Sequence, residues 1–138
     1  MGKIRAVCIS KEKGTPKENV GSGILVEGFG LEGDAHGGNW HRQVSLLSGD
    51  KIDAFRKKIW VEYGAFGENL VVDGLDFRSL PVGSRFGIGD AVLEMTQIGK
   101  ECHNDCIIKQ KTGECIMPRE GVFARVLKGG KVSVGDEL

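Results

Sequence analysis

Cys102, His103, Cys106 and Cys115 place three thiols and an imidazole within fourteen residues, enough soft and borderline donors for a tetrahedral zinc ion. Their spacing argues against a closed zinc site. Structural sites bring ligands as two close pairs, whereas here a C-x3-C stands with one cysteine nine residues further on. The gap is also too long for a C-x-x-C redox pair, and no thioredoxin-like βαβ unit flanks it. A single reactive thiol fits better. Lys100, two positions before Cys102, and His103 beside it would each lower the thiol's pKa and raise its thiolate fraction, while Glu101 acts in the opposite sense. Cys106 and Cys115 adjoin Ile107 and Ile116 and read equally as core residues or as working thiols. Cys8, inside an apolar strand, reads as core.

A second chemical feature is the run Gly28 to Gly38, which has neither helical nor strand period and is rich in glycine. Glu32, Asp34, His36 and His41 could be metal ligands, but no H-x-x-x-H on a helix and no 2-His-1-carboxylate spacing is present. A loop of this kind more often shapes a pocket. Its glycine N–H groups can approach a phosphate or oxyanion, and Arg42 can grip an anionic group bidentately. Asp34 and His36 read equally as hydrogen-bonded turn residues that pin the loop. Glu68 and Asn69, after Gly67, are either turn chemistry or polar lining of the same pocket.

These residues need a scaffold of short strands. Ile4 to Ser10 reads as a strand with Ile4, Ala6 and Cys8 on one face. Lys11 to Asn19 is a polar loop, Gly23 to Gly28 a short strand, and Arg42 to Leu47 another. Ser48 can N-cap a helix from Gly49 to Trp60 that buries Ile52, Phe55 and Ile59, with the basic run Arg56-Lys57-Lys58 on its wet side. Asn69 to Val72 is a strand, and Ser84 to Ile98 is two strands broken at Gly89-Asp90. A short helix is expected over Ile107 to Lys111. Gly121 to Leu127 and Lys131 to Val134 read as a closing strand pair joined through Lys128-Gly129-Gly130. The fold class is mainly β, of α+β or barrel type with one or two short helices, since strands and helices do not alternate.

Length and charge agree with one domain over residues 1–138. The 22 glycines exceed the roughly ten expected at usual usage and, lacking a G-X-Y period, indicate many tight turns. Nineteen basic residues balance nineteen acidic ones, so no long-range field draws the chain to nucleic acid or to an anionic membrane. No apolar run approaches the roughly 20 residues that span a bilayer, and no signal peptide is evident, so a cytoplasmic location with reduced thiols is expected.

Taken in order, Glu32-Gly33-Asp34-Ala35-His36-Gly37-Gly38, Arg42-Gln43-Val44-Ser45-Leu46-Leu47 and Phe66-Gly67-Glu68-Asn69-Leu70 resemble the MOSC family, the domain named for the C-terminus of molybdenum-cofactor sulfurases. Leu80-Pro81-Val82-Gly83, Ile88 to Glu94, the cysteine after Gly99-Lys100-Glu101, Gly121 to Val126 and Gly135-Asp136 continue the resemblance across nearly the whole chain. It implies a MOSC-type β-barrel, of the small stand-alone kind, that binds the molybdenum cofactor (molybdopterin) or a pterin-like relative. It also implies one key cysteine, best matched by Cys102, that carries sulfane sulfur as a persulfide or ligates molybdenum. Gly33, Asp34, His36, Gly37, Arg42, Gln43, Glu68, Asn69, Lys100 and Arg125 are the implied cofactor contacts. The chain shows no pyridoxal-phosphate domain. The resemblance leaves open a sulfurtransferase, a component of a molybdenum-dependent oxidoreductase, and a non-catalytic carrier that delivers cofactor to a biosynthetic or molybdoenzyme partner. A zinc-stabilised structural domain is the reading from another class.

Overall fold

The strands are set by side-chain alternation and by glycine turns. The computed structural model describes residues 2–12, 15–99 and 121–138. Its elements are β1 (Lys3–Ile9), β2 (Glu18–Asn19), β3 (Ser22–Val26), β4 (Gly30–Leu31), β5 (Val44–Ser48), α1 (Gly49–Arg56), β6 (Leu70–Asp73), a single 3-10 turn (Phe77–Ser79), β7 (Arg85–Ile88), β8 (Ala91–Ile98), β9 (Val122–Lys128) and β10 (Gly130–Ser133). Seven strands form one sheet in the order β2-β1-β6-β5-β9-β8-β7, and β10-β3-β4 form a second. All pairings are antiparallel except β5 with β6, which are parallel because α1 and the chain after it carry β5 over to β6. The expectation of a mainly β barrel-like fold with a short helix holds.

In β8 the residues Ala91, Leu93 and Met95 are buried and those between them less so, the pattern of a strand with one covered face. The turn into it from β7 has two residues, and Gly89 takes a φ of 57°, open to glycine without steric cost. The inner faces of both sheets meet in a core that includes Leu25, Leu46, Leu70, Phe77, Leu93 and Val132. A second cluster lies on the outer face of the large sheet, where Ile52 and Phe55 of α1 cover Ala6, Cys8, Leu47 and Val71. Phe55 meets Phe66 edge to face with centroids 4.9 Å apart. Arg5 pins the helix from outside, with Nη1 2.7 Å from Asp53 of α1 and Nε 3.0 Å from Asp73 at the end of β6. Among the described residues no helix is long and apolar enough to cross a membrane.

Three expectations are corrected. Ile4 does not share a face with Ala6 and Cys8: the register of β1 against β6 shifts between Ile4 and Ala6, so Ile4 and Val7 enter the inner core while Ala6 and Cys8 face α1. The helix ends at Arg56, and Ile59 is 42 % exposed. The Arg56 guanidinium turns back, donating from Nε to the Val61 carbonyl at 2.9 Å and lying 4.0 Å from the Trp60 ring and 4.3 Å from that of Tyr63, which closes the helix end with a stack. Finally, β9 and β10 are not partners. β9 joins β5 and β8 in the large sheet and β10 joins β3 in the small one, so the chain changes sheet at Gly129, where an added Cβ would stand 2.7 Å from the Leu25 carbonyl oxygen.

Candidate functional site

The polar residues singled out in the sequence converge where the ends of β1, β5 and β6 approach the loop that follows β4. Asn69, just before β6, is the hub. Its Nδ2 donates to the Cys8 carbonyl (3.0 Å) and to Asp34 Oδ2 (3.1 Å), and its Oδ1 accepts from the Ser45 backbone N–H (2.9 Å) and hydroxyl (3.2 Å). Two donors and two acceptor sites are an amide's full capacity, so Asn69 ties three strands to the loop rather than reaching for a ligand. Asp34 is likewise committed to internal partners through both carboxylate oxygens. Its Oδ1 accepts from the Ser10 backbone N–H (3.0 Å) and from Lys17 Nζ (2.7 Å), and neither side chain of this ion pair is exposed by more than 1 %.

Lys17 is the residue that sequence reasoning missed. It sits in the polar stretch before β2, yet its ammonium is buried against Asp34, Ser10 Oγ (3.3 Å) and His36 Nδ1 (3.0 Å). No local pattern marks it; the available signal is Asp34, because a buried carboxylate requires a cation. The Lys17 backbone is held by Gly64, whose carbonyl accepts from the Lys17 N–H at 2.9 Å. Gly64 has φ +93°, and a Cβ there would lie 2.1 Å from the Lys17 carbonyl oxygen, so only glycine permits the approach.

Glu68 is fully buried and accepts from the Gly64 N–H (2.9 Å) and the Phe66 N–H (3.1 Å). Burial pushes its carboxyl up to about 7, against the pull of those N–H groups and of Lys17. Folded chains thus keep this proton where unfolded chains have lost it. The stability it contributes is full below about pH 4.5 and is lost as the pH rises through about 7. Glu68→Gln should flatten that slope, at a cost of roughly 1–2 kcal/mol for the acceptor lost to one backbone N–H. Urea midpoints at several pH values check it; an unchanged slope would remove Glu68 as its source. Cys8 is buried beside this network, and burial first, then Glu68, raises its thiol well above the usual range, so it is an inert core thiol as expected.

Arg42 stands apart from this network. Its guanidinium carbon is 4.6 Å from the Trp40 ring and 5.6 Å from that of Phe123, and its buried Nε has no hydrogen-bond partner among the described residues. The indole of Trp40 donates to the His36 carbonyl at 2.9 Å, which links the Arg42 stack to the pinned loop. Gln43 is committed elsewhere, accepting the Val126 N–H at 2.9 Å. Gly33 has φ +83°, and Gly37 lies so close to Phe29 that a Cβ would stand 2.3 Å from its ring. Arg125 does not join the group: it is 51 % exposed on β9 and pairs with Glu94 at 2.7 Å, which with Arg85 holds the Glu94 carboxyl below its usual range. Lys100, Cys102, His103, Cys106 and Cys115 lie outside the described residues. The two residues that flank them, Gly99 and Gly121, are joined by a 2.7 Å backbone hydrogen bond. Gln97 donates to the Gly99 carbonyl (2.7 Å), and its Oε1 stands 2.8 Å from His41 Nε2. Among the described residues no group of three or more histidine, cysteine, aspartate or glutamate side chains could hold a metal ion.

The sequence pattern of the MOSC domain matches residues 32–138, which takes in the pinned loop, Arg42, Glu68, Asn69 and β9. The chain belongs to the MOSC family. That family is associated with the molybdenum cofactor, and at family level the protein's role is related to it. The MOSC fold is also seen in the solved structures this chain resembles. The YuaD protein from Bacillus subtilis superposes with a TM-score of 0.74 at 21 % identity, covering 99 % of this chain and 93 % of that one. YiiM from Geobacillus stearothermophilus gives 0.74 at 18 %, covering 99 % and 73 %, and YiiM from Escherichia coli 0.65 at 24 %, covering 99 % and 69 %. At these identities the likeness establishes the fold. No curated protein matches the sequence.

Proposed function

We propose that this MOSC domain seats the anionic end of the molybdenum cofactor on Arg42 and handles cofactor sulfur through the thiol of Cys102. The observation that carries the first half is the half-buried Arg42 guanidinium, held between Trp40 and Phe123 with a buried Nε that nothing described accepts from. A buried N–H without an acceptor is costly, and a phosphate oxygen supplies one with matching charge. Trp40, exposed on the same side, adds flat apolar surface for a ring system. The described residues thus fit the phosphate end of a pterin cofactor, and none of them supplies a metal donor set. When bound, the cofactor supplies a redox-active metal to which sulfur can be delivered.

The second half rests on the sequence resemblance. The Cys102 thiolate would attack the terminal sulfur of a persulfide donor, taking that sulfur as its own persulfide while the donor leaves as a thiolate. Reconstitution with molybdenum cofactor tests both halves. Arg42→Ala should retain at least about tenfold less molybdenum than wild type, the loss of a charge-assisted bond, and Cys102→Ala should lose persulfide labelling. Equal retention together with equal labelling would sink the reading.

A carrier without turnover is the second reading. It is favoured by the commitment of Asn69, Asp34 and Lys17 to internal partners, Asp34 bonding both of the others and the rest of their bonds going to Cys8, Ser10, His36 and Ser45. Turnover of N-hydroxylated substrates by cofactor-loaded protein given an electron donor would end it. Stoichiometric zinc on elemental analysis would instead support the structural-zinc reading of Cys102, His103, Cys106 and Cys115.

A further inference from the structure

Residues 40–43 are anchored one by one, with an exception at Arg42. The Trp40 indole N–H donates to the His36 carbonyl at 2.9 Å, and the Trp40 backbone N–H to the Gly38 carbonyl at 2.9 Å. The His41 carbonyl accepts from the Thr96 hydroxyl. The His41 ring meets Gln97 at 2.8 Å, and that bond has one sense: the Gln97 amide nitrogen donates to the Gly99 carbonyl, so its oxygen accepts and His41 Nε2 is the donor. Gln43 accepts from the Val126 N–H. At Arg42 the buried Nε has no acceptor among the described residues, and the guanidinium lies over aromatic rings instead. We infer that Trp40 is a positioning residue: fixed by its own indole N–H, it holds the Arg42 guanidinium by the flat face and so presents the N–H edge, already ordered, to two oxygens of one phosphate.

The other arginines show what this arrangement achieves. Arg5 commits its N–H edges to Asp53 and Asp73, and Arg85 and Arg125 commit theirs to Glu94. A carboxylate partner fixes a guanidinium but occupies the donors a ligand would need. An aromatic face attracts the same cation and takes none of them. The two rings near Arg42 are fixed in different ways. Phe123 is buried on β9, where strand pairing sets it opposite Ser45 and Gln97. Trp40 is 37 % exposed in a loop, so its place depends on its bond to the His36 carbonyl. That loop is closed by the Gly37 N–H on the Asp34 carbonyl (3.1 Å) and the Gly38 N–H on the Phe29 carbonyl (2.8 Å), which makes it a firm support. An arginine without such rings would lose its rotamer freedom only when the ligand arrives, and affinity would fall by that ordering. Lysine carries the same charge with neither a flat face nor a fork, so the seat reads shape as well as charge.

The ligand half of this inference rests on the anion seat proposed above; the positioning half does not, and NMR on the full chain reads them apart. The Arg42 Nε–H signal, assigned by its absence in Arg42→Lys, should show in wild type a proton–nitrogen heteronuclear NOE near that of the strand backbone. In Trp40→Leu it should fall to that of a mobile side chain. Inorganic phosphate should bind between about two- and tenfold more weakly to Trp40→Leu, although the charge of Arg42 is unchanged, because one long side chain must now be ordered on binding. Arg42→Lys should lose at least as much. Trp40→Phe, which keeps a ring without the indole N–H, should lie between wild type and Trp40→Leu in both readouts. A mobile Nε–H in wild type, or an NOE that Trp40→Leu leaves unchanged, overturns the positioning role, and Trp40→Phe matching wild type overturns the part given to the indole N–H. Equal phosphate affinity in wild type and Arg42→Lys overturns recognition by the edge. If wild type binds no phosphate, the ligand half falls together with the anion seat, while the positioning role stands or falls on the NOE.

Discussion

Asp34→Ala should lower the folding free energy by about 3–5 kcal/mol, the cost of leaving one member of a buried ion pair without the other. The Lys17 side chain is 1 % exposed and would keep only Ser10 Oγ and His36 Nδ1, while the Ser10 N–H and Asn69 Nδ2 would each lose an acceptor. Set against a domain stability of about 5–15 kcal/mol, this is a large fraction, and urea denaturation near pH 7 reads it directly. Lys17→Met alone should cost a similar amount for the mirror reason. Combined with Asp34→Asn it should cost less than the sum of the single variants, since the pair is removed as a unit. A loss under about 1 kcal/mol for Asp34→Ala would mean that water reaches the pair and that the network is not a closed one.

Gly64→Ala should be comparably damaging, at least about 3 kcal/mol, from a left-handed backbone closed to alanine, a clash with backbone and a broken hydrogen bond. The added Cβ would stand 2.1 Å from the Lys17 carbonyl oxygen and 2.5 Å from its carbon, atoms that cannot swing aside as the tip of a side chain can. Gly67 is the internal control. It has a similar φ of +84° but open space around its missing Cβ, so Gly67→Ala should cost only the backbone term, about 1–2 kcal/mol. Equal midpoints for the two variants would show that conformation, not the approach of Lys17, is why glycine stands at position 64.

Much of the scaffold was legible because it depends on local pattern. The alternation of Ala91, Leu93 and Met95 follows from the pleat, and Gly89-Asp90 marks the turn that precedes them. The loop from Glu32 to Gly38 stood out because it obeys neither period, and Cys8 reads as core from its neighbours alone. What escaped depends on partners distant in sequence. Lys17 looks solvated until Asp34, seventeen residues on, folds over it. Ile4 alternates correctly with Ala6 until the register shift against β6 turns it inward. Ile59 keeps helical spacing with Phe55, but the Arg56 stack on Trp60 and Tyr63 has already ended the helix. In the site, the residue types pointed to Arg42, Asp34, His36, Glu68 and Asn69 as a group. Which of them are internal ties and which face a ligand is a matter of hydrogen-bond saturation, and that appears only in three dimensions.

The change of sheet at Gly129 has a consequence for the order of events as the chain is made. β3 finds its main partner in β10, with Leu25 opposite Gly130 and Ser22 opposite Ser133, so the strand must wait for a partner made roughly a hundred residues later. Pairing at such separation must overcome loop-closure entropy before any contact rewards it, which places the protein among slow β folders, in the millisecond-to-second range. Until then β3 and β4, which carry Leu25 and Leu31, lack the strand that completes their sheet. The growing chain therefore carries the apolar side chains of an incomplete sheet over that interval, and β10 with its Val132 completes the cluster that buries them.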